Sequence, residues 1–200
     1  MSGVFIVFEG PDGGGTTTHA RLLEERLRVS GKEVVLTAEP TGGAHGRRIR
    51  EVIEGRGVLQ YAPTPEDLQR LFCADRAEHI ASVIAPSLAE GKTVICDRYV
   101  PSTLVYGEVS GVPRELLEKW NADFPKPDLT ILTLPPFATC LERLERRETR
   151  DSFEQEEFQR KVYEGYVRYA GEHSEVEVVD TSGAKEEVAE RIWEAVSGEL

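Results

Sequence analysis

The stretch Val4-Phe5-Ile6-Val7-Phe8-Glu9-Gly10-Pro11-Asp12-Gly13-Gly14-Gly15-Thr16-Thr17-Thr18 decides the fold. Its first five residues are all β-branched or aromatic, as expected of a parallel strand buried on both faces. The run enters a Gly-rich turn directly. From residue 17 to residue 29, Ala20, Leu23 and Leu27 then recur at helical spacing among charged residues, and Gly31 ends the pattern. Strand, glycine turn and helix in immediate succession place backbone N–H groups and a helix N-terminus where they attract phosphate. The motif G-x-x-x-x-G-K-[ST] asks for Lys where this chain has Thr16, while Thr17 keeps the position of the hydroxyl that ligates Mg²⁺. Loss of one such group from a preorganised site lowers a rate by roughly 10²- to 10³-fold. The nearest cations along the helix are His19 and Arg21.

Working outward, short strands are expected at 34–37, 93–96, 129–134 and 176–179. Helices are expected at 47–53, 65–88 with an interruption near Pro86, 137–147, 155–169 and 185–196. Five strands alternating with helices imply a three-layer α/β fold with a mostly parallel sheet, whose ligands sit at the carboxyl ends of the strands. With 200 residues, one domain spanning 1–200 is expected. The formal charge of −12 disfavours general attraction to nucleic acid or an anionic membrane, so an anionic substrate must meet a local basic pocket. The longest apolar run falls far short of a bilayer span, and residues 1–10 lack the pattern of an export signal. Cys73, Cys96 and Cys140 are odd in number and widely spaced, which points to buried free thiols in a reducing compartment, the cytoplasm, and away from zinc. One Asn and four Gln against 30% charged residues is a bias of heat-adapted proteins.

Several blocks together resemble the thymidylate kinases, P-loop enzymes of the nucleoside monophosphate kinase superfamily. The family pattern F-E-G-x-D-G-x-G-K-[ST]-T is similar to residues 8–18 apart from the Lys. Its L-F-x-A-D-R-x-x-H is matched by Leu71-Phe72-Cys73-Ala74-Asp75-Arg76-Ala77-Glu78-His79, its D-R-Y-x-x-S-x-x-A-Y is close to residues 97–106, and P-D-L-T-I recurs at 127–131. Order and spacing hold over nearly the whole chain. The resemblance implies a P-loop NTPase fold with a short lid at about 143–155, transfer of the γ-phosphoryl of ATP to dTMP, Mg²⁺ as cofactor, and a homodimer.

It also implies roles. Gly10, Gly13, Gly14, Gly15, Thr16, Thr17 and Thr18 would cradle the donor phosphates, with Thr17 and Asp97 at the metal, the latter through water. Phe72 would stack on thymine, and Arg76 would donate to the pyrimidine carbonyl edge. For Arg76 the residues alone equally allow an ion pair with Asp75 or Glu78. Arg98 would hold the acceptor phosphate with its planar fork, and Asp12 would lie near the sugar and that phosphate. Ser102, Thr103 and Tyr106 would line the nucleoside pocket, with Tyr106 beneath the deoxyribose. Asp180 would pass near the donor adenine. Arg143, Arg146, Arg147 and Arg150 would belong to the lid, although alternating charge on a helix is also an ordinary solvated face.

Three departures bear on catalysis. Thr16 replaces Lys, and Arg146, Arg147 or Arg150 would then replace part of its charge. Asp151 is followed by Ser152 where the family has Arg. Ala38 stands in place of Arg in T-R-E-P-G-G-T, leaving Arg47, Arg48 or Arg50 as candidates for an acceptor-phosphate contact. Two other readings stay open: a kinase for another pyrimidine deoxynucleotide, and a catalytically silent nucleotide-binding protein.

Overall fold

The two faces of the first strand organise the molecule. In the computed structural model, which describes residues 3–55, 63–146 and 153–198 (side chains of 153 and 154 excepted), β1 spans Phe5–Glu9 and every residue in it is buried. Ile6 and Phe8 point to one side, where α1 (Thr16–Val29) and the C-terminal helix Lys185–Val196 supply Ala20, Leu23, Leu27, Val188, Ile192 and Val196. Phe5 and Val7 point to the other, against Val94, Cys96, Ile84 and Tyr99. This period of two with apolar residues on both sides is what a central parallel strand covered by helices requires.

The sheet order is β2-β3-β1-β4-β5, with β2 Val34–Ala38, β3 Thr93–Asp97, β4 Leu129–Thr133 and β5 Val176–Val179, all parallel. Five strands fall within a residue or so of the expected positions. Because β1 lies between β3 and β4, the chain switches direction across the sheet there, and the crevice at the carboxyl ends of these strands is the place for a ligand.

The helices differ more. The expected 47–53 helix begins earlier, as α2 Ala44–Ile53. The helical pattern at 65–88, expected to be interrupted near Pro86, is α3, Pro65–His79, which passes through a π-turn, Ile80–Ile84, into α4, Ala85–Ala89. Pro86 has no N–H to donate, and the helix widens in the turn before it. Two helices were not expected: α5, Val100–Val109, and α6, Arg114–Asn121. The helix expected at 137–147 is α7, Phe137–Glu145, and that at 155–169 is α8, Phe153–Glu172; the C-terminal helix is α9. α5 and α8 pack together on the second face through Val105, Leu132, Val162 and Tyr166. Cys73, Cys96 and Cys140 are unpaired thiols, the first half-buried and the others buried. No helix among the described residues is long and apolar enough to cross a membrane.

Candidate functional site

Gly10 to Gly15 wrap from β1 into α1. Gly13 has φ +79° and Gly15 φ +95°, values that glycine adopts without strain. A Cβ at Gly13 would also lie 2.5 Å from the Cys140 carbonyl oxygen. The loop is thus pressed against α7. α1 carries no acidic residue in its first turn, so its positive end is left for a ligand. Beside the loop is a cavity of about 310 Å³, bounded by Asp12, Gly13, Gly15, Thr16, Thr17 and Thr18 and by Arg98 and Leu144.

Arg98 follows the end of β3 in a left-handed conformation, φ +71°. Its Nη2 donates to Asp12 Oδ1 at 2.6 Å, and its Nη1 donates to the Gly10 carbonyl at 2.9 Å and to Ser102 Oγ at 3.2 Å. The ring of half-buried Tyr106 lies 5.4 Å from the guanidinium carbon. Among the described residues bounding the cavity, Arg98 is the one with a cationic side chain. Thr17 Oγ1 donates to Asp97 Oδ2, while Asp97 Oδ1 is buried without a hydrogen-bond partner. A hydroxyl and a carboxylate with a spare oxygen are hard donors of the kind Mg²⁺ takes, so these residues fit that ion.

The back of the loop is tied elsewhere. Arg143 Nη1 donates to the Gly13 carbonyl at 3.0 Å and Nη2 to the Thr181 carbonyl at 2.7 Å, and Thr181 Oγ1 donates to the Gly14 carbonyl at 2.6 Å. Arg143 therefore braces loop carbonyls rather than facing the cavity. Nothing in the sequence signals this pairing, which spans 130 positions. His19 is buried against Gly15, and burial, followed by the charge of Arg143, lowers its pKa to about 4. It is neutral near pH 7 and no substitute for the missing lysine charge; Arg21 is exposed on the next turn of α1. Burial pushes the Cys140 thiol beside the loop up to about 11, leaving it protonated.

Arg76 is 1% exposed, and its partners are neither Asp75 nor Glu78. Its Nε donates to Glu39 Oε2 at 2.9 Å, Nη2 to Thr103 Oγ1 at 3.1 Å, and Nη1 to Asn121 Oδ1. Asp75 instead accepts from the Thr41 N–H and hydroxyl, at 2.7 and 2.6 Å. Glu39, His79 and Cys96 converge with ligand atoms within 4.8 Å of one another. Both His79 nitrogens already have partners, Glu39 Oε1 at 3.0 Å and Thr37 Oγ1 at 2.6 Å, so the cluster is satisfied as an ion-pair network. Phe72 lies half-buried on α3, one turn before Arg76.

Arg47, Arg48 and Arg50 are not among the described residues that bound the cavity. Arg48 pairs with Glu51 at 3.1 Å on the surface. Arg47 donates to the Gly42 carbonyl at 2.7 Å, and Arg50 to the Thr41 carbonyl at 2.6 Å and to that of Pro40. They clamp their own loop. Arg146 is exposed at the end of α7. Arg147 and Arg150, together with Asp151 and Ser152, lie outside the described residues. Asp180 is exposed and accepts from the Ser182 N–H at 2.7 Å.

A parallel sheet switching direction at β1, a glycine nest at the start of α1 and an arginine clamped to that nest define a P-loop nucleotide kinase. The comparisons with known proteins are narrower. The family profile described as "Thymidylate kinase" matches residues 8–192. A probable thymidylate kinase of Pyrococcus abyssi is 40% identical over 202 residues, covering 100% of this chain and 98% of the relative. Thymidylate kinases of a Synechococcus strain and of Deinococcus radiodurans are 40% and 39% identical, covering 98% of this chain and 96% and 97% of theirs. The chain belongs to the thymidylate kinase family.

Proposed function

We infer that this protein transfers the γ-phosphoryl of ATP to dTMP, giving dTDP and ADP. The observation that carries the reading is the Arg98–Asp12 clamp, which sets a guanidinium fork at the mouth of the glycine nest. An accepting phosphate is already a nucleophile, so catalysis needs positioning and charge stabilisation rather than a base. Arg98 holds and orients that phosphate, and Asp12 fixes Arg98 against the loop. Gly13 to Thr18 hold the donor phosphates through backbone N–H groups and the α1 terminus. Phe72 supplies a flat face to the base, and Arg76, held by Glu39, Thr103 and Asn121, donates to its carbonyl edge. Tyr106 lies beneath the sugar.

Thr17 and Asp97 would hold Mg²⁺, which when bound neutralises charge on the β and γ oxygens. Residues 143–155 act as a lid, with Arg146, Arg147 or Arg150 bringing charge toward the position that Thr16 leaves neutral. The protein works in the cytoplasm as a homodimer. ADP formation with ATP and Mg²⁺ tests the reading, with dTMP, dUMP, dCMP, dGMP and UMP as separate acceptors at temperatures up to about 80 °C. Turnover greatest on dTMP is expected. Preference for another acceptor overturns the substrate, and no turnover with any of them makes the chain a nucleotide-binding protein.

A further inference from the structure

We infer that Glu9, the last residue of β1, is a positioning residue for Arg98: its buried carboxylate holds the chain reversal that aims the guanidinium at the Gly-rich loop. The inference rests on the role given to Arg98 above and deepens it.

Glu9 is 1% exposed. Its neighbour α5 begins without a side-chain cap of its own. Glu9 Oε1 takes that place from across the sheet, accepting from the Tyr99 N–H at 2.7 Å and the Ser102 N–H at 3.2 Å. These are the N-cap and third helical residues of α5, whose donors have no partner within the helix. A negative carboxylate is also what the positive end of the helix favours. The capped residue, Tyr99, immediately follows Arg98, a side-chain-bearing residue in the left-handed region. Arg98 is pinned from both sides, by its own N–H to the Phe8 carbonyl at 2.8 Å and by the bond from Tyr99 to Glu9.

The second carboxylate oxygen acts on the guanidinium through two hydroxyls. Glu9 Oε2 accepts from Ser102 Oγ at 2.7 Å and Tyr166 OH at 2.9 Å. The same two hydroxyls accept from Arg98 Nη1, at 3.2 and 3.4 Å. Their protons are thereby directed to the carboxylate and their lone pairs to the guanidinium. Burial pushes the Glu9 carboxyl above its ordinary range, and the Arg98 charge and the donors around it oppose that shift. Gln in this place would keep one acceptor for the α5 terminus. Its amide would donate where two hydroxyls now donate, and they would have to turn away from Arg98.

The experiment uses the full chain with Glu9→Gln. Its readouts are steady-state kinetics, calorimetric dTMP binding, and the ¹H–¹⁵N signal of the Arg98 Nε–H, assigned by its loss in Arg98→Lys. The expected result is a rise of about tenfold in both KM and Kd for dTMP, with KM for ATP held within about twofold, and a shifted Arg98 signal. An unchanged Kd with an unchanged Arg98 signal overturns the inference, and so does an equal rise in both KM values. Tyr166→Phe removes one shared hydroxyl and keeps the ring. It is expected to raise KM for dTMP about threefold in the unaltered protein and to add nothing beside Glu9→Gln. Independent, additive effects overturn the inference. If Glu9→Gln does not fold, Tyr166→Phe decides alone, an unmoved Arg98 signal counting against the inference. If the unaltered protein neither binds nor phosphorylates dTMP, the functional reading fails; the Arg98 signal, which needs no substrate, still tells whether Glu9 holds Arg98.

Discussion

Arg98 Nη2 donates to Asp12 Oδ1 across 2.6 Å, fastening the residue after β3 to the middle of the Gly-rich loop. The other Asp12 oxygen accepts from Gln159 Nε2 of α8 at 3.2 Å, so one carboxylate joins three segments at the mouth of the cavity. On the proposed reading, truncating the guanidinium removes charge-assisted bonds to the acceptor phosphate, whereas altering Asp12 only loosens its aim. Arg98→Ala is expected to lower kcat/KM for dTMP by about 10²-fold, near 2.7 kcal/mol, and Asp12→Asn by about tenfold. Initial rates with dTMP varied at saturating ATP measure both. Equal losses in the two variants would show that Asp12 does more than aim Arg98.

Thr16 is the first residue of α1 and is 6% exposed beside the cavity. Arg98 is committed to Asp12, Arg143 to loop carbonyls, and His19 is neutral. Thr16→Lys therefore adds a charge that the described residues do not already supply. An increase in kcat of roughly 10²-fold is expected, with KM for dTMP little changed. A lysine that leaves kcat where it was would show that the lid arginines already do this work. Their alanine variants would then be slowed in the unaltered protein and rescued beside Thr16→Lys.

The strands were legible because each is a short run rich in β-branched residues, buried throughout in β1 and β3 and partly exposed at the edges in β2 and β5, and their order along the chain already implied a parallel sheet. α5 was not legible. Val100, Pro101, Leu104 and Val105 are apolar on more than one face because the helix is wedged among α3, α6 and α8, so no period marks it. The Gly-rich loop, Asp97 and Arg98 could be read locally. The partners of Arg76, Arg143 and Glu9 could not, because Glu39, Thr181 and Tyr166 reach them from 37, 38 and 157 positions away. Charge count gave arginines enough for the acceptor site, but only the folded loop shows Arg47 and Arg50 spent on its own carbonyls.

The Arg76–Glu39 pair is buried, with side chains 1% and 2% exposed. Removing one member leaves the other charged and desolvated, which costs about 3–5 kcal/mol, whereas replacing both with apolar groups is often neutral. Arg76→Ala is thus expected to lose about that much stability in urea unfolding, and Arg76→Met combined with Glu39→Leu to recover most of it. His79, which bonds Glu39 Oε1, is the residue left to rearrange. The double variant then isolates the contact with the base: if it folds and still binds dTMP as tightly as the unaltered protein, Arg76 serves the fold and not the substrate.

His19 gives stability a pH dependence of definite sign. Burial, and after it the charges of Arg143, Lys185 and Arg191, lower its pKa from 6.5 to about 4, and its Nδ1 is buried without a partner. Above pH 6.5 the ring is neutral in folded and unfolded chains alike. As pH falls from 6.5 toward 4, the unfolded chain takes up a proton that the folded one refuses, so folding loses up to about 3 kcal/mol across that window. His19→Gln removes the titration. Urea midpoints at pH 7, 6 and 5 are expected to fall more steeply for the unaltered protein than for the variant. Parallel slopes would mean that the ring is protonated in place, next to Gly15, and could then lend its charge to the loop in acid.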